Sequence, residues 1–187
     1  MTGGGSIFAD SLAAVYNLRQ RHPDAYQLLK QTPLTFHYVN DGHHMHFNRP
    51  AIVEDLHNNT LTVSYAPPFQ GPIEAFAPDE DNDEGNDEDN DEDNGNDNDD
   101  DDDKAMPFYK AYQQFSGCIE DPRLQLELRL NPGELVIMTN RRILHARRAF
   151  DPDSGERHLK GAYLEYCEFK DRLRVLLAAE SNGSLQG

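Results

Sequence analysis

The stretch that decides the fold is residues 131–166, NPGELVIMTNRRILHARRAFDPDSGERHLKGAYLEY. It opens on Asn131-Pro132-Gly133, a turn signal between two runs, 124–130 and 134–138, in which apolar residues alternate or cluster. This pattern predicts a pair of strands joined by the turn. His145 follows the second run, so a lone imidazole is predicted near the end of a strand.

The end of the same stretch alternates a second time. From Arg157 to Tyr166, successive residues of a strand would point to opposite sides, which puts Arg157 and Tyr163 on the same side. With His145, the sequence then predicts a lone His, a basic loop and a second Arg at the ends of two strands. This is the layout of a pocket for a metal ion and a carboxylate, because imidazole binds metal ions and guanidinium forks onto carboxylates.

Two strings, NRRILHAR ending at Arg147 and RHLKGAY ending at Tyr163, resemble the C-terminal half of the γ-butyrobetaine hydroxylase branch of the TauD/TfdA family of Fe(II)/2-oxoglutarate oxygenases. The resemblance implies that His145 is the third iron ligand and that Arg157 holds the far carboxylate of 2-oxoglutarate. It also implies that Tyr163 belongs to an aromatic cage around a trimethylammonium group, and that Arg147 supports the pocket by its charge. Fe(II) and 2-oxoglutarate are therefore the expected cofactor and cosubstrate.

The N-terminal string TGGGSIFAD, residues 2–10, resembles the family segment T-G-G-D-[ST]-x-x-x-D. In that family the Ser or Thr hydroxyl lies beside 2-oxoglutarate, and the resemblance carries this role to Ser6. Gly5 stands where the family has Asp.

The family's other two iron ligands, an H-x-D or H-x-E pair, lie upstream of that segment, whereas this sequence starts at it. His22-Pro23-Asp24 is an H-x-D string, but it follows a predicted helix, and Pro23 and Asp24 suit the first turn of the next helix. We therefore expect a fragment of an oxygenase that does not turn over by itself.

Charge is concentrated in one segment. Residues 79–103 hold half of the 34 acidic residues and no basic one, so the acidic residues outside this run equal the 17 Lys and Arg in number. Such a run repels itself and cannot bury apolar surface, which predicts a disordered insertion at a loop. An acidic arm that binds basic proteins or divalent cations is the alternative.

The remaining pattern predicts one domain fragment, residues 1–78 and 104–180, with a flexible tail at 181–187. The expected fold is mainly β with flanking helices, a partial double-stranded β-helix (jelly roll, cupin-like) without its N-terminal strands. Helices are predicted at 11–21, 24–30 and 107–115, strands at 36–38, 51–55 and 61–65, and a helix or strand at 169–179.

Other histidines and cysteines that could bind metal or form disulfides lie outside the main stretch. His43, His44 and His46 raise the question of a metal site because alternate strand residues share a face, with a structural or surface role as the other interpretation. Cys118 and Cys167 lack a C-x-x-C spacing, which favours a reduced intracellular protein, cytoplasmic or mitochondrial, over a disulfide scaffold.

The predicted function is that of a fragment of an Fe(II)/2-oxoglutarate-dependent dioxygenase hydroxylating a small molecule. A γ-butyrobetaine-like or trimethyllysine-like substrate of carnitine biosynthesis is a candidate, although Pro67-Pro68 replaces an N-N-x-x-R string of γ-butyrobetaine hydroxylase. The alternative is a non-catalytic scaffold remnant that binds protein or cations through its acidic arm. The basic cluster around His145 has no aromatic platform and no surplus of basic residues, so nucleic acid is not an expected partner. The sequence shows no membrane segment, so a membrane is not an expected partner either.

Overall fold

The computed structural model describes residues 2–55, 60–76, 99–156 and 158–183. Four helices lie in these ranges: α1 (Ser11–Arg21), α2 (Pro23–Gln31), α3 (Asp99–Ile119) and α4 (Tyr166–Gly183). Seven strands lie there too: β1 (Ser6–Asp10), β2 (Pro33–Asn40), β3 (His43–Pro50), β4 (Ile52–Asp55), β5 (Thr60–Val63), β6 (Gln125–Leu128) and β7 (Ile143–Arg147). The chain divides into two compact units, residues 3–150 and a smaller one of residues 1–2 and 151–187.

The described part of the chain is a mixed α/β structure, which corrects the prediction of a mainly β fold. The strands form three antiparallel sheets, ordered β6-β1-β7, β2-β3 and β4-β5. The helices contain more residues than the strands. A jelly roll is not confirmed among these sheets.

The first two helices begin and end close to the residues that the sequence predicted. The side chain of Asp10 accepts a hydrogen bond from the Leu12 amide and caps α1, as acidic residues commonly do at this position. His22 ends α1 and precedes Pro23, the first residue of α2, where a missing N–H costs nothing. The interpretation of His22-Pro23-Asp24 as a helix boundary is confirmed.

The core of the larger unit is a layer of α1, α2 and α3 packed on the strands. α3 buries Phe108, Ala111 and Phe115, whose spacing of three to four residues places them on one face. Full burial of a side chain such as Phe or Leu stabilises a fold by about 1.5–3 kcal/mol, so this face accounts for much of the helix's attachment. The other elements add these buried residues: Val15, Leu18, Tyr26, Leu29, Leu34, Ile52 and Val63.

α3 begins earlier than predicted. The predicted start was Pro107, but the helix runs from Asp99 with Pro107 in its interior, so 99–103, the end of the predicted insertion, are helical. The rest of the predicted insertion, up to residue 98, lies outside the described residues.

The strand pair predicted around Asn131-Pro132-Gly133 is half correct. The first run contains β6, but residues 134–138 form no strand, and the partner of β6 is β1. Leu135 and Ile137 are 79% and 85% exposed. A β-prone sequence forms a strand only where a neighbouring strand accepts its hydrogen bonds, and the segment 134–138 has none in the described structure.

The strand predicted from Arg157 to Tyr166 is wrong for the residues that the structure describes. Residues 158–165 are irregular, and α4 begins at Tyr166. Period-two alternation of mixed residues also fits an irregular extended segment, because it carries no information about a pairing partner. The segment predicted as a helix or strand at 169–179 is a helix, part of α4.

Both cysteines are free, as expected of a reduced protein. Cys118 is buried in the core and Cys167 is exposed, and burial raises the pKa of the Cys118 thiol. Across the part of the chain that the structure describes, no helix has the length and apolar character needed to cross a membrane.

Candidate functional site

The three-stranded sheet gathers three of the predicted site residues on one face. In the register of β1 and β7, Ser6 lies opposite Arg147 and Phe8 lies opposite His145. Directly opposed residues of antiparallel strands point to the same side, and so do residues two apart along a strand. Ser6, His145 and Arg147 therefore share one face of the sheet, with the Phe8 ring beside the imidazole.

That face points away from the core. The intervening residues Ala9 and Leu144 lie opposite each other on the other side of the sheet, where Ala9 is buried and Leu144 packs against the core. His145 is exposed, and Leu126 of β6, which pairs with Phe8, is 61% exposed. The sheet thus presents a polar and apolar surface to solvent within this unit.

The glycine-rich N-terminus sets the position of β1 against β7. Gly3 has φ +77°, a conformation that favours glycine, and a Cβ there would collide with the carbonyl oxygen of Ala149. The Gly4 amide donates to that same oxygen at 3.0 Å, and the Arg148 amide donates to the Gly5 carbonyl at 2.9 Å. This close approach of the Ala149 carbonyl explains why residue 3 is a glycine.

An ion pair fixes the other end of the same two strands. The guanidinium of Arg142 donates to both carboxylate oxygens of Asp10, with Nη2 2.8 Å from Oδ2 and Nε 3.3 Å from Oδ1. The Ser11 amide donates to the Arg142 carbonyl at 3.0 Å. The hydrogen bonds from Arg142, followed by the one from the Leu12 amide, outweigh partial burial and hold the pKa of Asp10 below its ordinary value.

Gly5, the position that departs from the family's Asp, lies beside a carboxylate from another strand. A Cβ on residue 5 would stand 2.9 Å from Oε1 of Glu127. The other oxygen of Glu127 accepts a hydrogen bond from Nε of Arg148 at 3.0 Å. A side chain at position 5 would therefore compete with Glu127 for the same space next to Arg148.

Arg147 is held by an aromatic ring. Its guanidinium carbon lies 4.4 Å from the centre of the Phe150 ring, within the range of a cation–π interaction. The pair keeps the charge of Arg147 at the exposed end of the face that carries Ser6 and His145.

Two predicted site residues belong to other parts of the chain. Arg157 lies outside the described residues, and Tyr163 belongs to the smaller unit, where it is 84% exposed. Ser6 and His145, both predicted as site residues, lie on neighbouring strands of one sheet.

The described residues do not by themselves fit an iron site. Among residues 2–55, 60–76, 99–156 and 158–183, no three His, Cys, Asp or Glu side chains are grouped so that they could hold a metal ion. His145 is a single imidazole donor, whereas ferrous oxygenase sites use two His and one carboxylate.

Sequence reasoning missed Phe8 and Leu126 as part of this face. The alternation in β1 was the available signal, since Ile7 and Ala9 face one side while Ser6, Phe8 and Asp10 face the other. An aromatic and an aliphatic residue beside an imidazole provide an apolar wall for a bound molecule.

The chain is similar in sequence to proteins of a known family. The sequence matches the taurine catabolism dioxygenase TauD, TfdA family over residues 1–163. Relatives include a dioxygenase of Strobilurus tenacellus, 32% identical over 93% of this chain and 37% of that protein, and a gamma-butyrobetaine dioxygenase of Pseudomonas sp. (strain AK-1), 32% identical over 94% and 39%. A mitochondrial trimethyllysine dioxygenase of Gallus gallus is 27% identical over 94% and 37%. The chain spans about two fifths of the length of these relatives. It belongs to the TauD/TfdA dioxygenase family.

Proposed function

We propose that this chain is the C-terminal portion of an Fe(II)/2-oxoglutarate-dependent dioxygenase that hydroxylates a small molecule. The observation that carries the proposal is the shared outward face of β1 and β7, where Ser6, His145 and Arg147 lie together. An imidazole, a hydroxyl and a guanidinium are the groups that a metal ion and a dicarboxylate need side by side.

Each residue has a separate role in this proposal. His145 supplies one protein ligand of iron. Ser6 donates a hydrogen bond to 2-oxoglutarate, and Arg147 adds positive charge for its carboxylates. Arg157 remains the proposed anchor of the far carboxylate, on the strength of the RHLKGAY string. The proposal needs a second His and a carboxylate ligand from polypeptide beyond the described residues.

The proposed substrate class is a small molecule with a trimethylammonium group. Relatives named for γ-butyrobetaine and trimethyllysine support this class, and the Tyr163 ring offers a π face for a cation that has no proton to donate. Pro67-Pro68 provides no amide or guanidinium side chain at the position where γ-butyrobetaine hydroxylase binds the substrate carboxylate. We therefore propose a substrate whose far end differs from that of γ-butyrobetaine. An intracellular location, cytoplasmic or mitochondrial, stays part of the proposal.

A chimaera tests this function. The N-terminal part of the Pseudomonas γ-butyrobetaine dioxygenase, up to the segment matching Thr2, is joined to this chain, and succinate formation from 2-oxoglutarate is measured with Fe(II). We expect succinate from the chimaera and none from the chain alone, because the chain's described residues supply one iron ligand.

Two variants make the result specific. His145→Ala is expected to abolish succinate formation, whereas His43→Ala, in the separate β2-β3 sheet, is expected to leave it unchanged. A soluble chimaera with native-like circular dichroism that forms no succinate would contradict the proposal, and so would full activity of the His145→Ala protein. An inactive chimaera would instead favour the scaffold-remnant alternative.

A further inference from the structure

The β2-β3 hairpin carries a group of histidines away from the sheet of His145. In its register His37 lies opposite His46, and His44 lies opposite Val39. His37, His44 and His46 therefore share one face of the hairpin. His43, which lies opposite Asn40, is on the other face.

Two of these imidazoles approach each other through their outer nitrogens. Nε2 of His37 and Nε2 of His44 are 2.9 Å apart, and the ring centres are 5.0 Å apart. At this distance one ring donates a hydrogen bond and the other accepts it, so the two Nε2 atoms face each other. A metal ion that displaces the shared proton would meet both nitrogens.

His46 lies beside the pair, but its imidazole contacts a carboxylate. Its Nε2 lies 2.6 Å from Oε1 of Glu74, whose second oxygen accepts a hydrogen bond from Asn48 Nδ2, also at 2.6 Å. The His46 ring meets His37 edge-on, with centres 6.0 Å apart. Glu74 and Asn48 thus orient His46, which in turn limits the rotation of His37.

The backbone around His37 is also fixed. The Gly71 amide donates to the Thr35 carbonyl at 3.0 Å, and a Cβ on Gly71 would stand 3.4 Å from the Cβ of His37. The segment that leads to Glu74 therefore crosses the hairpin directly beside the histidine pair. Such support lowers the entropy cost of holding two ligands in place.

The distance between the two nitrogens is close to the ligand separation of one metal geometry. With metal–nitrogen bonds of about 2.0–2.1 Å, two ligands at a right angle lie about 2.9 Å apart, and two ligands of a tetrahedron lie about 3.4 Å apart. The observed 2.9 Å matches the right angle. Right-angle nitrogen ligands are typical of tetragonal Cu(II) and Ni(II) sites, whereas structural zinc prefers the tetrahedron.

We propose that His37 and His44 form a second metal site, a bidentate pair that binds Cu(II) or Ni(II) with solvent in the remaining positions. The two described imidazoles are compatible with the finding that no group of three candidate ligands occurs in the described ranges. An ion bound by one residue from each strand joins β2 to β3 near the hairpin's turn. Binding therefore stabilises the hairpin as well as holding the metal.

Electron paramagnetic resonance of bound Cu(II) tests the site in the 187-residue chain. One equivalent of Cu(II) is added at mildly alkaline pH, because metal ions bind only unprotonated imidazole. Excess Mg²⁺ is present to occupy the carboxylates of the acidic run, which prefer hard cations. We expect nitrogen hyperfine coupling from two imidazoles, reduced to one or lost in His37→Gln and His44→Gln.

Two matched controls decide the assignment. His43→Gln changes a neighbouring histidine on the opposite face, and His145→Gln removes the candidate iron ligand; both are expected to keep the two-imidazole spectrum. A spectrum that is unchanged in both His37→Gln and His44→Gln, or lost equally in a control, would overturn the proposal. Ni(II) should raise the thermal midpoint of the parent chain but not of either pair variant, and circular dichroism verifies that each variant is folded.

Discussion

Replacing Asp10 separates two interactions of its carboxylate, the cap of α1 and the ion pair with Arg142. Asp10 caps α1 through the Leu12 amide at 3.0 Å and pairs with Arg142, which joins the end of β1 to the start of β7. Asp10→Ala removes both interactions. Asp10→Asn keeps an oxygen for the cap, because Asn and Asp are similar N-caps, and removes only the charge.

The contacts set the expected magnitudes. Loss of an N-cap costs about 0.5–2 kcal/mol. The ion pair is solvent-screened, since the two side chains are 53% and 37% exposed, and such exposed pairs contribute at most about 1 kcal/mol. Asp10→Ala should therefore lower the free energy of unfolding by roughly 0.5–3 kcal/mol, and Asp10→Asn by less than about 1 kcal/mol.

Urea unfolding followed by circular dichroism measures both values, and pH provides a second test. Arg142 and the cap hold the pKa of Asp10 below its ordinary value, so its stabilisation is fully present above that ordinary value and is lost as the pH falls through the lowered pKa. Both variants should lose this acidic-limb dependence. Equal destabilisation by Asn and Ala would refute the assignment of the larger share to the cap.

Four further expectations follow from other contacts. Glu54 accepts hydrogen bonds from Lys30, at 2.5 Å, and from Tyr26. These bonds, above all the one from Lys30, lower the pKa of Glu54. In urea unfolding, Glu54→Gln should lower the free energy of unfolding by roughly 1–2 kcal/mol at neutral pH, and by less as the pH falls through the lowered pKa of Glu54. Deleting residues 79–98 should change the free energy of unfolding by less than about 1 kcal/mol, because loop closure depends only logarithmically on length; loss of the folded circular dichroism spectrum would contradict this. In a longer protein with a complete iron site, Arg157→Ala should weaken 2-oxoglutarate binding by roughly 2–4 kcal/mol in calorimetry, with Arg157→Lys also impaired because an ammonium cannot fork onto two oxygens. Gly5→Asp should destabilise the chain by placing a second carboxylate beside Glu127, and Glu127→Ala in the same chain should restore the thermal midpoint; no rescue would show that the two side chains do not compete.

Local signals predicted local structure well. Asp10, Pro23 and the apolar spacing of α1 were sufficient to place both N-terminal helices, since caps and helical periodicity act within a few residues. The runs 51–55 and 61–65 were also correctly predicted as strands, and β4 and β5, which are neighbours in sequence, pair with each other.

Long-range pairing is what the sequence could not show. β1 lies between β6 and β7, more than a hundred residues away, and nothing in residues 6–10 specifies those partners. The alternation gives the face of His145, whereas the register that puts Phe8 opposite it depends on the whole fold. Sequence alone therefore identified the candidate ligand but not its neighbours.

The sequence contains enough information to predict that His37 and His44 lie on one face of the hairpin. Asp41-Gly42 is a two-residue hairpin signal, and both residues have positive φ. A two-residue turn places Asn40 opposite His43 and, counting outward, His37 opposite His46. His37 was not among the predicted candidates, because its place beside His44 and His46 depends on the register that this turn sets.

Pro107 divides α3 into two parts with different evolutionary freedom. Proline has no N–H to offer the carbonyl four residues earlier, so the turn before Pro107 is held less firmly than the rest of the helix. Phe108, Ala111 and Phe115, which attach the helix to the core, all follow the proline. Residues of α3 before the proline can therefore change over generations without moving the attached face.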